Sequence, residues 1–172
     1  MSHVIIAVQG QSFTPQFLNC LLDTFEAVIR AKHTFSYMVR DSILTYDNFM
    51  DAVTSDIEYD YVIFIDSHSI WNPEWIVDLI NNSEPNLTFG SRNVFMNTDI
   101  FDIQDSNTDA NYPLTTKTLE ESVILGSISI LKLSRETVKN IIDVPYTGNY
   151  FSVELSKIVN ISCDFSKLVI KV

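Results

Sequence analysis

The stretch that decides the fold is Asp60-Tyr61-Val62-Ile63-Phe64-Ile65-Asp66-Ser67-His68-Ser69-Ile70-Trp71-Asn72-Pro73-Glu74. Five apolar residues in a row, Tyr61 to Ile65, predict a strand buried on both faces, hence a central strand of a mainly parallel sheet. Asp66 closes that strand. Asn72-Pro73 then reads as a helix start, with Asn as cap and Pro as first helical residue. Trp75, Ile76, Leu79 and Ile80 follow at helical spacing.

The same rhythm extends upstream. Val4–Val8 is a second short apolar run, followed by a polar loop from Gln9 to Thr14. Thr14-Pro15 opens a helix whose apolar face is predicted to hold Phe17, Leu18, Leu21, Leu22, Phe25, Val28 and Ile29. His33 to Val39 reads as a strand, Thr45 to Val53 as a short helix, and Leu87 to Phe89 as a further strand. Alternating strands and helices predict a single-domain α/β fold, Rossmann-like, with helices flanking the sheet.

Downstream, residues 96–118 are rich in Asp, Asn and Thr and read as a flexible loop. Order returns with a strand over Val123 to Leu133, bent at Gly126. A helix from Ser134 to Ile142, a helix from Phe151 to Val159 and a strand from Phe165 to Val172 complete the chain. No linker separates two domains.

Composition narrows the function. At 172 residues with 46% hydrophobic residues, the chain can bury one core. Its net charge of −11 opposes binding to nucleic acid or anionic membrane, which needs a basic face. A polyphosphate ligand would need a metal cation or backbone N–H groups to offset that repulsion. The two cysteines, Cys20 and Cys163, have no metal-ligand spacing and read as buried free thiols. That usage, with no basic leader before Val4 and no membrane-length apolar run, predicts a cytoplasmic protein (or one in a host cytoplasm, if viral). There is no Gly-rich phosphate loop and no Gly-x-Ser-x-Gly elbow.

In open α/β sheets, ligands bind beyond the carboxyl ends of the strands. Asp66 and His68 fall at that edge, and carboxylate and imidazole are both metal ligands, imidazole suiting Mn²⁺ better than Mg²⁺. Asp66 can equally serve as a turn-forming Asp. Trp71 reads as a loop ring free to stack on a sugar or base, and Trp75 as a core residue. Arg92, after the strand at Leu87, can pair with a diphosphate or stand as a surface arginine.

The apolar strand, the Asp66-Ser67-His68 triplet and the Pro73-Glu74 helix start resemble the Asp-x-Asp motif of GT-A-fold glycosyltransferases of the family-2 type. The resemblance covers roughly residues 1–95, which would form the nucleotide-sugar-binding part, with 119–172 as a small acceptor-side part. It implies a nucleotide-sugar donor, a Mn²⁺ or Mg²⁺ ion and an acceptor hydroxyl. By position it makes Asp66 a donor and metal ligand, and His68 the second metal ligand. It places Gln9, opening the nucleotide-facing loop, and Asp41 near the nucleoside. Glu154 matches the acidic residue that acts as base in inverting members. Three features depart from the pattern. His68 replaces the second Asp, Asp47 stands before Asn48 where relatives carry Arg, and Val169-Ile170-Lys171-Val172 contains no late His. A GT-A-like domain that has lost catalysis, and binds a nucleotide or a protein, is the alternative these departures leave open.

Overall fold

The computed structural model describes residues 1–40, 56–93, 103–105, 119–120, 123–125, 128–142 and 151–172. Ten strands are described: β1 (His3–Gln9), β2 (Thr34–Arg40), β3 (Tyr61–Asp66), β4 (Ser69–Ile70), β5 (Leu87–Asn93), β6 (Ile103–Asp105), β7 (Leu119–Glu120), β8 (Val123–Leu125), β9 (Ile130–Ser134) and β10 (Ser162–Lys171). The helices are α1 (Pro15–Arg30), α2 (Glu74–Asn81), α3 (Arg135–Ile142) and α4 (Phe151–Ile158).

The main sheet has the order β2-β1-β3-β9-β5-β10-β4, with β7 beside β10. β1 pairs in parallel with β2 and β3, and β5 with β10. β9 runs antiparallel between β3 and β5, so five strands share one direction. β3 is central and Val62 to Ile65 are fully buried, as the unbroken apolar run requires.

Strand alternation divides these side chains between two cores. On one face Val4, Ile6, Val8, Ile63 and Ile65 pack with Phe17, Leu21 and Val28 of α1 and Ile76, Leu79 and Ile80 of α2. On the other Ile5, Ala7, Val62, Phe64 and Leu131 pack with Val138 and Ile141 of α3 and Leu155 of α4. The result is a three-layer α/β/α fold.

Both helix starts read from the sequence form. Thr14 Oγ1 accepts the Phe17 N–H at 3.1 Å, and Asn72 Oδ1 accepts the Glu74 N–H at 3.1 Å. Ser134 Oγ likewise accepts the Thr137 N–H at 3.1 Å.

Several expectations change. Val123–Leu133 is not one strand: β8 pairs with β6 in a separate two-stranded sheet, and only β9 joins the main sheet. The expected apolar face of α1 is too wide, because Leu18, Leu22 and Ile29 are exposed while the narrower Phe17-Leu21-Val28 stripe meets the sheet. β5 runs on to Asn93 and β10 begins at Ser162, both longer than their apolar runs. The helix expected over 45–53 lies outside the described residues, as does the 96–118 loop except for β6.

Lys132 is a feature that no sequence pattern marks. It sits in β9 with its side chain fully buried. Its Nζ donates to Leu79 O at 2.8 Å and Asn82 O at 2.9 Å, which satisfies carbonyls at the end of α2. The ammonium also lies 4.7 Å from the centre of the Tyr61 ring. Burial pushes Lys132 down to about 8, against the opposing pull of Glu84.

Two predictions follow from these contacts. Between pH 8 and its unfolded value of 10.5, Lys132 binds its proton in the unfolded chain but not in the folded one. Stability attributable to Lys132 therefore rises with pH across that window. Urea melts of wild type and Lys132→Met at stepped pH should show the slope in the former and not in the latter. Second, α1 ends in a Schellman turn, with Lys32 N donating to Ile29 O, His33 N donating to Val28 O, and Lys32 at φ 63°. Lys32→Gly removes the left-handed strain and should stabilise the protein by about 0.5–1 kcal/mol, read as a higher urea midpoint.

Candidate functional site

The carboxyl ends of the parallel strands carry a row of polar residues. The β1 register pairs Gln9 with Arg40 of β2 on one side and with Asp66 of β3 on the other. Residues in register on neighbouring strands share a face, so Arg40, Gln9 and Asp66 project together. Their face is that of Ala7 and Phe64, toward α3 and α4. Beyond Asp66 the row continues to Ser129, whose carbonyl accepts the Asp66 N–H at 2.9 Å. Arg92 of β5 and Lys171 of β10 stand at the same edge of the sheet.

A tight backbone contact holds this edge. Gly10 N donates to Arg40 O at 3.0 Å and Ser67 N donates to Gln9 O at 2.8 Å. Gly10 has φ +155°, and a Cβ built there would fall inside the Ser67 side chain. Only glycine lets β1 and the loop after β3 approach so closely.

Asp66 forms the turn that its position suggested. Its Oδ1 accepts the His68 N–H at 2.9 Å and lies 3.1 Å from His68 Nδ1. The Asp66 side chain is 25% exposed and that of His68 56% exposed. The loop is held from the other side by β4, where Ile70 pairs with Ile170 and Val172 N donates to His68 O at 2.8 Å.

The residues expected at the site fare differently. Gln9, Asp66 and His68 come together at one edge. Asp41 lies outside the described residues. Of Arg92 and Glu154 the backbone is described, in β5 and in the first turn of α4. Trp71 is a correction. It is buried in the core rather than free for stacking, edge-on to Phe17 at 5.4 Å, and its Nε1 donates to Thr24 Oγ1 at 2.9 Å. Its ring packs against Phe17 and Thr24 of α1, and the partly exposed Trp is Trp75. Arg40 and Ser129 were missed. A strand-end Arg carries no motif, but its place opposite Gln9 puts a cation in the row. Ser129 Oγ is buried with no hydrogen-bond partner among the described residues.

For a metal, Asp66 and His68 offer an incomplete donor set. No group of three His, Cys, Asp or Glu suited to a metal occurs among the described residues. Asp66 Oδ1 is engaged with His68, which leaves the second carboxylate oxygen and His68 Nε2. Any metal there would need phosphate oxygens and water to complete its ligands.

No protein-family model matches the chain, and no curated protein matches it by sequence. Solved structures do match. The S. aureus TarS 1–349 structure aligns over 99% of this chain at 15% identity with a TM-score of 0.56. This chain spans 60% of the TarS chain. The inositol-1-phosphate CTP transferase from T. maritima aligns over 100% of this chain and 89% of its own, at 7% identity and TM-score 0.55. UDP-glucose pyrophosphorylase complexed with UDP-glucose aligns over 98% and 91%, at 7% identity and TM-score 0.52. The chain therefore shares the α/β, Rossmann-like fold of these structures. At these identities the likeness is one of fold. No described helix is long and apolar enough to cross a membrane.

The Gly10 contact yields a direct test. Gly10→Ala should cost about 3 kcal/mol, because the new methyl collides with Ser67 and the backbone stays at positive φ. Adding Ser67→Gly should recover part of that loss in urea melts, since it removes the collision but not the strain.

Proposed function

We propose that this chain binds a nucleoside-diphosphate sugar across the carboxyl ends of β1 and β3 and transfers the sugar to a hydroxyl acceptor. The supporting observation is the pairing of Gln9 with Asp66 at the point where the chain's connections diverge. From β1 the chain proceeds to β2 on one side, and from β3 to β4 at the opposite end of the sheet. The carboxyl ends of strands at such a divergence are where open α/β sheets take ligands.

In this reading Asp66 accepts hydrogen bonds from ligand hydroxyls, and the Asp66 turn holds the His68 ring toward the phosphates. Arg40 and Arg92, at strand ends on either side, supply positive charge that the chain's overall balance lacks. A Mn²⁺ or Mg²⁺ ion held by Asp66 and His68 would neutralise charge on the leaving diphosphate. Glu154 is the proposed base for the acceptor hydroxyl, and inversion at the anomeric carbon would follow from attack opposite the leaving group. TarS, the CTP transferase and the UDP-glucose pyrophosphorylase lend support through their shared fold.

One observation favours the second reading, a non-catalytic domain that binds nucleotide or protein. Asp66 Oδ1 is committed to His68, and no third protein donor joins the pair among the described residues. That reading keeps the nucleotide and drops the metal and the base.

The two separate in a thermal-shift experiment with UDP-, GDP-, CMP- and dTDP-sugars, with and without Mn²⁺. A ligand at about 100 times its Kd stabilises by about 2.7 kcal/mol, roughly 5–10 °C for a chain of this size. The proposal expects a Mn²⁺-dependent rise with one donor class, abolished in Asp66→Ala. A rise that ignores Mn²⁺ supports the non-catalytic domain. No rise with any donor contradicts both nucleotide readings.

A further inference from the structure

α1 carries two apolar stripes, and the sheet uses one of them. Phe17, Leu21 and Val28 turn inward and pack with β1 and β3. Leu18, Leu22, Phe25 and Ile29 repeat that pattern one position on and share a neighbouring flank of the helix. Phe25 stacks on Phe35 of β2 with ring centres 4.5 Å apart and lies 5.5 Å from the Tyr37 ring, so this flank faces β2. β2 is the terminal strand of the main sheet. Its Phe35, Tyr37 and Val39 are in register with Val4, Ile6 and Val8, which puts them on the α1 side of the sheet. Helix flank and edge strand thus form one continuous surface.

That surface is apolar and open to solvent. Of the nine large hydrophobic residues exposed among the described residues, five lie on it: Leu18 at 44%, Leu22 at 62%, Ile29 at 63%, Tyr37 at 63% and Val39 at 42%. They make an apolar area on the order of 500 Å², at the upper end of what a monomer keeps in water. With its polar rim the area approaches the roughly 800 Å² per partner of a stable protein interface. Charge narrows the occupant. The chain carries −11 overall, so two copies repel across an average stretch of surface. Residues 15–40 escape this, because Asp23 and Glu26 are set against Arg30, Lys32 and Arg40. A basic partner finds no acidic face there, whereas a second copy can approach without a charge penalty.

We infer that this face is the two-fold interface of a homodimer, with α1 packed antiparallel on α1 of a second copy. The spacing of the exposed stripe, four-three-four, reads the same in both directions. In an antiparallel pair Leu18 therefore meets Ile29 of the second copy, and Leu22 meets Phe25. A two-fold axis demands this self-complementarity. Tyr37 and Val39 extend the contact onto the sheet edge, and covering β2 protects an edge that would otherwise template pairing with other chains. The row formed by Gln9 and Asp66 projects from the opposite face of the sheet, toward α3 and α4, so the dimer leaves it open.

The test uses the full chain as wild type and as Leu22→Glu, Leu22→Lys and Tyr37→Lys. Sedimentation equilibrium and native mass spectrometry read mass against concentration, and circular dichroism checks that each variant folds. The wild type should sediment at twice the 19.6 kDa chain mass. Each variant should weaken the dimer about thirtyfold or more, because it buries an unpaired charge at the interface. The milder changes Leu22→Ser and Ile29→Ser give the same readout where a charge blocks folding. In the antiparallel pair the two copies of residue 22 lie three helical positions apart, about 4.5 Å along the axis. An equimolar mixture of Leu22→Glu and Leu22→Lys should therefore recover a mixed dimer that neither forms alone, a rescue that misfolded chains would not give. A wild type that stays at single-chain mass up to about 100 µM overturns the inference, whether the surface then binds neutral lipid vesicles or nothing. A dimer that survives all these substitutions also overturns it, since it would use another face. Absence of the mixed dimer overturns it as well.

Discussion

Everything at the candidate site depends on the register between β1 and β3. Six residue pairs, from Val4–Tyr61 to Gln9–Asp66, join two strands that are buried on both faces. A slip of one residue would turn every side chain of β3 to the opposite face. It would take Val62 and Phe64 out of one core and Ile63 and Ile65 out of the other. The packing of both layers therefore fixes the register, and the register places the Asp66 carboxylate beside the Gln9 carboxamide. Chemistry at the edge is positioned by hydrophobic burial several residues away.

The same edge of this acidic chain also carries basic residues. Arg40, Arg92 and Lys171 occupy the carboxyl ends of β2, β5 and β10. The end of β3 and the loop after it are held by three backbone hydrogen bonds: Ser67 N–H to Gln9 O, Val172 N–H to His68 O, and Asp66 N–H to Ser129 O. A turn anchored in this way keeps Asp66 and His68 in fixed relation.

Much of this was legible in the sequence, for identifiable reasons. Tyr61–Ile65 announced a central strand because no half-exposed strand tolerates five apolar residues in succession. Thr14-Pro15 and Asn72-Pro73 announced helix starts because capping chemistry is local. Gln9, Asp66 and His68 could be placed at the edge because they end those strands. What remained hidden was set by tertiary contact. Trp71 read as a loop ring, but the pocket between Phe17 and Thr24 that encloses it exists only once α1 is docked. Lys132 carries no sequence signal, and only the fold brings the carbonyls of Leu79 and Asn82 to its ammonium. Arg40 was invisible as a site residue because its partner in the row, Gln9, is thirty-one positions away.

The central claim is that a nucleotide sugar binds at the carboxyl ends of β1 and β3. The most direct measurement is a ¹H–¹⁵N correlation spectrum of labelled protein titrated with UDP-glucose and with GDP-mannose in the presence of Mg²⁺. The account predicts that one of them perturbs the amides of Gln9, Gly10, Ser67 and His68 in a saturable way. Those at the opposite edge, such as Thr34, Asp60 and Arg135, should stay unmoved. Perturbations that gather at that opposite edge, or none at all with either ligand, would contradict it.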